Sequence, residues 1–328
     1  MPVSLAEAKN NVQEDLDVAV IDEFRKESAI LDTLIFDDAV NPSGGGATLD
    51  YGYRRLVTQA DADFRAINSE YAPAEVESQK YSVTLAPLGG SFRVDRVLAK
   101  LGPAASGAVT LNLQQKIKAT RTRFQDEVIN GDTAVDADGF DGLDKALTGS
   151  DTEMDAAAAG DWLDLDTDDR ASFKALDLVD EFLALLDGTP TVLVANKKAL
   201  ARVRAIVRRS GMYVRDAVEG LVGANGRPIN RESYGGITLV DAGEKAGSND
   251  AIIPIAEDGT TSIYAYRVGL DGFHGVSTAG GQLVQTWMPD FTTSGAVKTG
   301  EVELGPVGIA LKATKAAAVL RGVKVAAG

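Results

Sequence analysis

Few side chains in this 328-residue sequence can carry proton, metal or acyl chemistry: there is one histidine and no cysteine. A catalytic triad or a histidine-bound metal would have to use His274. That residue lies in Asp271-Gly-Phe-His-Gly-Val-Ser277, a glycine-flanked turn with no second histidine beside it, which favours a structural or surface role. Without cysteine there are no disulfides, thiolate metal sites or cysteine nucleophiles. No GxSxG elbow, GxxxxGK[ST] loop or GxGxxG after a strand occurs, so serine-hydrolase and nucleotide-cradle chemistry lack their usual carriers. Asp164, Asp166 and Asp168 have the alternate spacing that opens an EF-hand calcium loop. Asp169 stands where that loop needs glycine, however, and Ala175 where its closing glutamate belongs. A looser cation site is the alternative. With 48 acidic residues, carboxylate pairs suited to glycoside chemistry cannot be singled out by spacing. The sequence therefore reads as a protein that is not an enzyme, with no cofactor and no metal.

The totals agree with a globular chain: 45% hydrophobic and 25% charged residues. Its length allows about two domains. The first residues are polar and acidic, unlike a signal peptide, and no apolar run reaches the roughly 20 residues that span a bilayer. A cytosolic product with no membrane partner is expected. The net charge of −15 argues against a dedicated nucleic-acid binder. Charge is also unevenly placed. Nineteen acids and three bases lie between Asp126 and Asp187, whereas Lys197, Lys198, Arg202, Arg204, Arg208, Arg209 and Arg215 follow with no acid among them. Two readings stand: two solvated faces, or surfaces through which copies of the protein attract one another.

The elements that would position these groups fall into an ordered series. Leu5, Leu16, Val20, Phe24 and Leu31 lie near helical spacing after a capping-box-like Ser4, and Asn41-Pro-Ser-Gly-Gly-Gly46 breaks the pattern. This makes residues 1–46 an arm with little core of its own. Alternation around Leu49, Tyr51 and Tyr53, and again through Tyr81, Val83 and Leu85, predicts a long hairpin over residues 47–92 with a polar tip from Gln59 to Glu75. Leu113, Ile117, Phe124 and Val128 form one stripe, predicting a helix over 109–130 closed by a cap glycine at Gly131. Lys116, Lys118, Arg121 and Arg123 lie off that stripe. A second helix ends at Gly188, a buried strand covers Thr191 to Ala195, and Asn196 caps a helix running from Lys197 to about Arg209. From Tyr234 onward the chain reads as strands, among them Ala251 to Ala256. The class is α+β, without βαβ regularity.

In this order the elements resemble the tailed-bacteriophage major capsid proteins of the HK-ninety-seven type, whose fold bacterial encapsulins share. The fragments that carry the likeness are Lys80-Tyr-Ser-Val-Thr-Leu-Ala-Pro-Leu-Gly-Gly-Ser-Phe92, Ile129-Asn-Gly-Asp132, Phe140-Asp-Gly-Leu143 and the ending Val307 to Val325. The resemblance covers essentially the whole chain. It implies an N-terminal arm at 1–46, an extended β-hairpin loop at 47–92, a peripheral domain at 93–187 and 296–328 with a spine helix at 109–130, and an axial domain at 188–295. It also implies pentamers and hexamers closing into an icosahedral shell around the double-stranded DNA of a tailed phage, so that the protein would be a virion component assembled in the host cytoplasm. Partners would be copies of the chain itself, a separate scaffolding protein and portal, a decoration protein as a further candidate, and packaged DNA through weak non-specific contacts. Candidate intersubunit contacts are Arg202, Arg204, Arg208, Arg209, Asp164, Asp166, Asp168 and Lys80. An encapsulin-type nanocompartment shell is the alternative within the fold; a monomeric enzyme or ligand-binding protein is the alternative outside it. Two departures bear on this. Some members carry a helical scaffold segment ahead of the arm; this sequence opens on the arm, so scaffolding is expected from a separate protein or an absent precursor. Lys80 is the sole lysine between Ala47 and Gly90, yet no asparagine follows Asn249, so lysine–asparagine crosslinking between subunits is not expected.

Overall fold

A computed structural model describes residues 30–40, 48–58, 60–71, 75–97, 103–163, 165, 170–209, 214–222, 228–248, 250–278 and 284–327. The arm's expected apolar positions before Ile30, its Ser4 cap and the Asn41–Gly46 break lie outside these residues. Five helices are described: α1 (Ile30–Thr33), α2 (Pro103–Asn130), α3 (Leu143–Leu147), α4 (Ala171–Ala184) and α5 (Lys197–Arg209). The strands are β1 (Phe36–Val40), β2 (Asp50–Leu56), β3 (Ser78–Thr84), β4 (Ala86–Asp95), β5 (Glu153–Asp155), β6 (Val192–Ala195), β7 (Val214–Val222), β8 (Pro228–Tyr234), β9 (Ile237–Asp241), β10 (Thr260–Tyr266), β11 (Phe273–Thr278), β12 (Val284–Trp287), β13 (Val297–Leu311) and β14 (Ala317–Lys324).

They form three sheets. One runs β1-β11-β13-β12 with β4 on the other side of β13; a second runs β5-β14-β10-β6-β9-β8-β7; the third is the β2-β3 ribbon. The class is mixed α+β. Sheet membership does not follow the sequence partition at residue 296. Strands β11 and β12 pair with β13 in the five-stranded sheet, whereas β14, near the end of the chain, pairs with β10 in the seven-stranded one.

Strands β6, β10 and β14 are buried on both faces, because successive side chains point to opposite sides. Val192 and Val194, Tyr264 and Tyr266, and Ala317 and Val319 join a core with Phe124, Val128 and Phe140. Their neighbours Leu193 and Ala195, Ile263 and Ala265, and Ala318 and Leu320 join a second core beneath α4 and α5. One sheet thus divides two cores, which explains the unbroken apolar runs in these strands. Asn196 caps α5 as its type requires, accepting the Ala199 N–H at 2.9 Å. Its buried amide also donates to Thr261 Oγ1 at 2.7 Å.

Several expectations change. Helix α2 begins at Pro103 instead of 109, and proline at a first helical position needs no N–H partner. Its stripe is buried only at the C-terminal end: Phe124 and Val128 are fully covered, while Leu113 and Ile117 are half-exposed. Gly131 is not a left-handed cap. Its N–H continues the helical pattern to the Glu127 carbonyl at 2.9 Å, and glycine is needed because the returning Phe140 carbonyl fills the space of a Cβ. Ala251 to Ala256 is not a strand: Pro254 lacks an N–H, and Ile252 and Ile253 instead plug the first core. The β7–β8 hairpin was hidden in sequence because VRDAVEGLV and PINRESY lack a clean apolar–polar alternation.

The Ile129–Asp132 and Phe140–Leu143 fragments meet in space. Gly142 N–H donates to the Gly131 carbonyl at 2.8 Å, and Lys145 Nζ bridges Asp132 and Asp141 at 2.6 and 2.8 Å. A Cβ at Gly142 would fall 2.6 Å from both the Glu127 oxygen and the Gly131 nitrogen. Gly142→Ala should therefore lower the unfolding free energy by about 2–3 kcal/mol in denaturant titration, the range for overpacked sites. Gly149→Ala, at φ 74° with open space around it, should cost only about 1 kcal/mol.

Candidate functional site

The ribbon of β2 and β3 pairs from Asp50↔Thr84 to Leu56↔Ser78, and a two-stranded ribbon is marginal in water unless it packs on something. Tyr51, Tyr53 and Arg55 alternate along β2 and share one face, and that face is held by the five-stranded sheet. Tyr51 OH donates to Asp37 Oδ2 of β1 at 2.7 Å. Tyr53 OH donates to the Leu311 carbonyl at 3.1 Å. Arg55 Nε donates to the Lys312 carbonyl at 2.8 Å, one terminal nitrogen to Thr314 Oγ1 at 3.3 Å, and the other to the Leu311 carbonyl.

The same guanidinium lies over the rings of Tyr81 and Tyr53, 4.5 and 5.5 Å from their centroids. Tyr53 and Tyr81 are direct cross-strand partners with stacked rings 5.8 Å apart. Charge-assisted hydrogen bonds contribute roughly 1.5–3 kcal/mol each and a cation–π contact about 0.5–1 kcal/mol, so this base outweighs a bare ribbon's own stability. Tyr51 joins a small third core with Val40, Leu85, Val276 and Ala310. Burial first, and then the Asp37 carboxylate, hold its hydroxyl protonated well above the usual range.

Beyond the base, support stops. Leu56, Val57, Phe64, Ile67, Tyr71 and Val76 are exposed, Phe64 fully and Ile67 by 91%. Among its described residues the tip shows local contacts: Arg65 NH1 donates to the Ser69 carbonyl at 3.0 Å, and its guanidinium lies 5.3 Å from the Tyr71 centroid. Asn68 adopts φ 70°, a left-handed turn position that asparagine tolerates. Apolar side chains gathered on a projecting loop mark an interaction surface.

The basic helix α5 buries Ala199, Leu200, Val203, Ile206 and Val207 in the second core. Arg202 and Arg204 are half-buried, and Arg208 and Arg209 are exposed at its C-terminal end, where positive charge complements the helix dipole. Arg202 lines a shallow depression with Leu163, Lys198 and Val325. Leu165 is buried in the same core as α5. Leu163 and Leu165 flank Asp164, so the start of the acid-rich loop lies beside the basic helix of its own chain. Asp164, Asp166 and Asp168 themselves lie outside the described residues. Lys80 is exposed on β3 opposite Arg54, remote in sequence from these groups.

His274 is fully buried on β11, opposite Ala310 and edge-on to Tyr51 at 5.9 Å. It is placed beneath the ribbon's base instead of in a surface turn. No cluster of three metal-ligating side chains occurs among the described residues, and no described helix is long and apolar enough to cross a membrane. Sequence reading missed Arg55 and Tyr81 as anchors. The available signal was the spacing of Tyr51, Tyr53 and Arg55, one apolar-to-cationic face on a strand otherwise rich in exposed positions.

No protein-family model matches the sequence, and no curated protein is similar to it in sequence. Solved structures are similar over nearly the whole chain. An encapsulin complex of Synechococcus elongatus PCC 7942 is 16% identical, with 99% of this chain and 97% of that chain covered and a TM-score of 0.64. The capsid of a native GTA particle is 15% identical, with 97% of each chain covered and a TM-score of 0.62. The capsid of Myoviridae phage XM1 is 13% identical, with 96% of this chain and 98% of that chain covered and a TM-score of 0.58. The chain therefore has the α+β fold of phage capsid and encapsulin shell subunits, the HK-ninety-seven type.

Proposed function

We propose that the protein is a major capsid protein, assembling through copies of itself into pentamers and hexamers of an icosahedral shell around the double-stranded DNA of a tailed phage. The observation that carries this reading is the combination of whole-chain likeness to capsid subunits with a ribbon fixed at its base and apolar at its tip. Among the described residues nothing covers Phe64 and Ile67 at the tip, and a neighbouring copy would cover them. Many such weak contacts, repeated over a closed lattice, stabilise a container by avidity. On this reading residues 1–46 are the arm, 47–92 the extended loop, 93–187 with 296–328 the peripheral domain and 188–295 the axial domain. The role is structural and not enzymatic, in the virion, with assembly in the host cytoplasm. Scaffolding, portal and decoration proteins and packaged DNA are the further partners of that role.

The encapsulin-type shell is the second reading, favoured by the encapsulin complex among the similar structures. Purified particles that protect genome-length DNA from nuclease support the phage reading. Particles free of DNA but enclosing a protein cargo would replace it.

The tip supplies the direct test of the assembly surface. Phe64→Ser with Ile67→Ser should leave monomer stability within about 0.5 kcal/mol, because both side chains already face water. Shell yield by sedimentation should fall at least tenfold. Unchanged shells would remove the tip from the interface.

The basic helix is tested by Arg208→Glu with Arg209→Glu. Acids at a helix C-terminus cost the monomer about 1 kcal/mol, so circular dichroism should show a folded chain. Capsomer formation should fail if these arginines face a neighbour's Asp164, Asp166 and Asp168. Normal shells would leave the basic helix and the acidic stretch as solvated faces.

A further inference from the structure

We propose that His274 is an acid-sensitive latch beneath the extended ribbon: proton uptake by its ring releases β2 from the five-stranded sheet. The ring is fully buried, and among the described residues neither Nδ1 nor Nε2 makes a well-aligned hydrogen bond, although the Gly272 and Gly269 carbonyls are close enough to favour its protonation. A buried imidazole beside an ammonium is tolerable while neutral and costly once charged, because burial and the Lys312 charge both disfavour the imidazolium.

Its charged and titratable surroundings come from three elements. Lys312, just after β13, holds its ammonium 5.2 Å from the Tyr51 ring centroid. Tyr51 of β2 meets the imidazole edge-on at 5.9 Å, with Tyr53 6.3 Å beyond it. Asp37 of β1 is the one carboxylate beside them, already accepting the Tyr51 hydroxyl. A second cation at His274 would therefore sit close to an existing one, with the Asp37 carboxylate already engaged. The lid over the ring is Tyr51, and lifting β2 is the motion that lets water reach it.

The direction of the pH dependence follows. Burial, and then Lys312, lower the basicity of the docked ring; Asp37 and the Gly272 and Gly269 carbonyls oppose this without reversing it. A hydrated imidazole titrates near about 6.5. The docked state thus binds fewer protons than the released state. Its advantage is complete above roughly pH 6.5 and shrinks as the pH falls below that value. At about pH 4.5, two units lower, the docking equilibrium shifts by up to about 100-fold toward release. For a shell subunit this would make ribbon placement, and so the fit between copies, responsive to acid; that consequence alone rests on the function proposed above.

The test uses the soluble chain, so it stands or falls independently of assembly. His274 is the sole histidine, and its ring resonances report its titration directly. Hydroxyl-radical labelling of Tyr51, buried when docked, reads the released population; exposed Tyr71 serves as the reference for the probe's own pH dependence. The labelling rate of Tyr51 relative to Tyr71 should rise up to about 100-fold between pH 7 and 4.5, tracking a ring titration whose midpoint lies below 6.5. His274→Phe should abolish that rise, and Asp37→Asn should keep it. A ring titrating at the ordinary midpoint with Tyr51 still protected would overturn the proposal. So would an acid response retained in His274→Phe and lost in Asp37→Asn. Should the phenylalanine variant not fold, the coincidence of the ring titration and Tyr51 labelling in the natural chain decides alone.

Discussion

The placement of the ribbon depends on the planar fork of Arg55 reaching the backbone carbonyls of Leu311 and Lys312 while its faces rest against Tyr53 and Tyr81. Two strands alone bury too little to hold a direction in water. Fixed at one end to the rim of a five-stranded sheet, they become a lever that carries Phe64 and Ile67 away from the body. Arginine suits this position better than lysine would, since several fixed donors and a stacking face act together. The anchor's partners are backbone atoms of the segment joining β13 to β14, and that segment links the two large sheets. Ribbon position and body packing are thereby coupled through a few residues around 311–314.

The body itself is built differently. Its central strands are covered on both faces, so the seven-stranded sheet is a rigid divider between two cores. Polar groups along it are paired at two places: Asn196 serves both as helix cap and as donor to Thr261, and Asp144 accepts from Tyr264 and from Arg321 at 2.7 Å each. The N-terminal half of α2 departs from this pattern, with Leu113 and Ile117 half-exposed. A well-packed body carrying incompletely covered projections is what interlocking copies require.

Much of this was legible from the residues. The period-two runs of β2 and β3, the apolar run of β10, the C-terminal part of the α2 stripe and the Asn196 cap each follow from local rules that tertiary packing did not override. What was not legible depended on distant parts of the chain. Gly131 is glycine because Phe140 returns across it, a steric reason invisible to a helix-end rule. His274 looked like a turn histidine because its glycine neighbours suggest a turn; Gly272 does lie in a bend, but Gly275 lies in strand β11, where Phe36 packs so closely that only glycine fits. The charge segregation was plain, but spacing could not say whether the acids and bases are two solvated faces or meet between copies, and a meeting within one chain was not among the readings. Leu163 and Leu165, beside and beneath the basic helix, bring that third answer into play.

The central claim is that the folded chain closes into a shell with its own copies. Sedimentation of the purified protein, with negative-stain imaging of the fastest fraction, tests it most directly. The account predicts rings and closed, uniform particles sedimenting far ahead of the 328-residue monomer. A folded species that stays monomeric across concentration, salt and pH, with no rings or shells in any fraction, would contradict it.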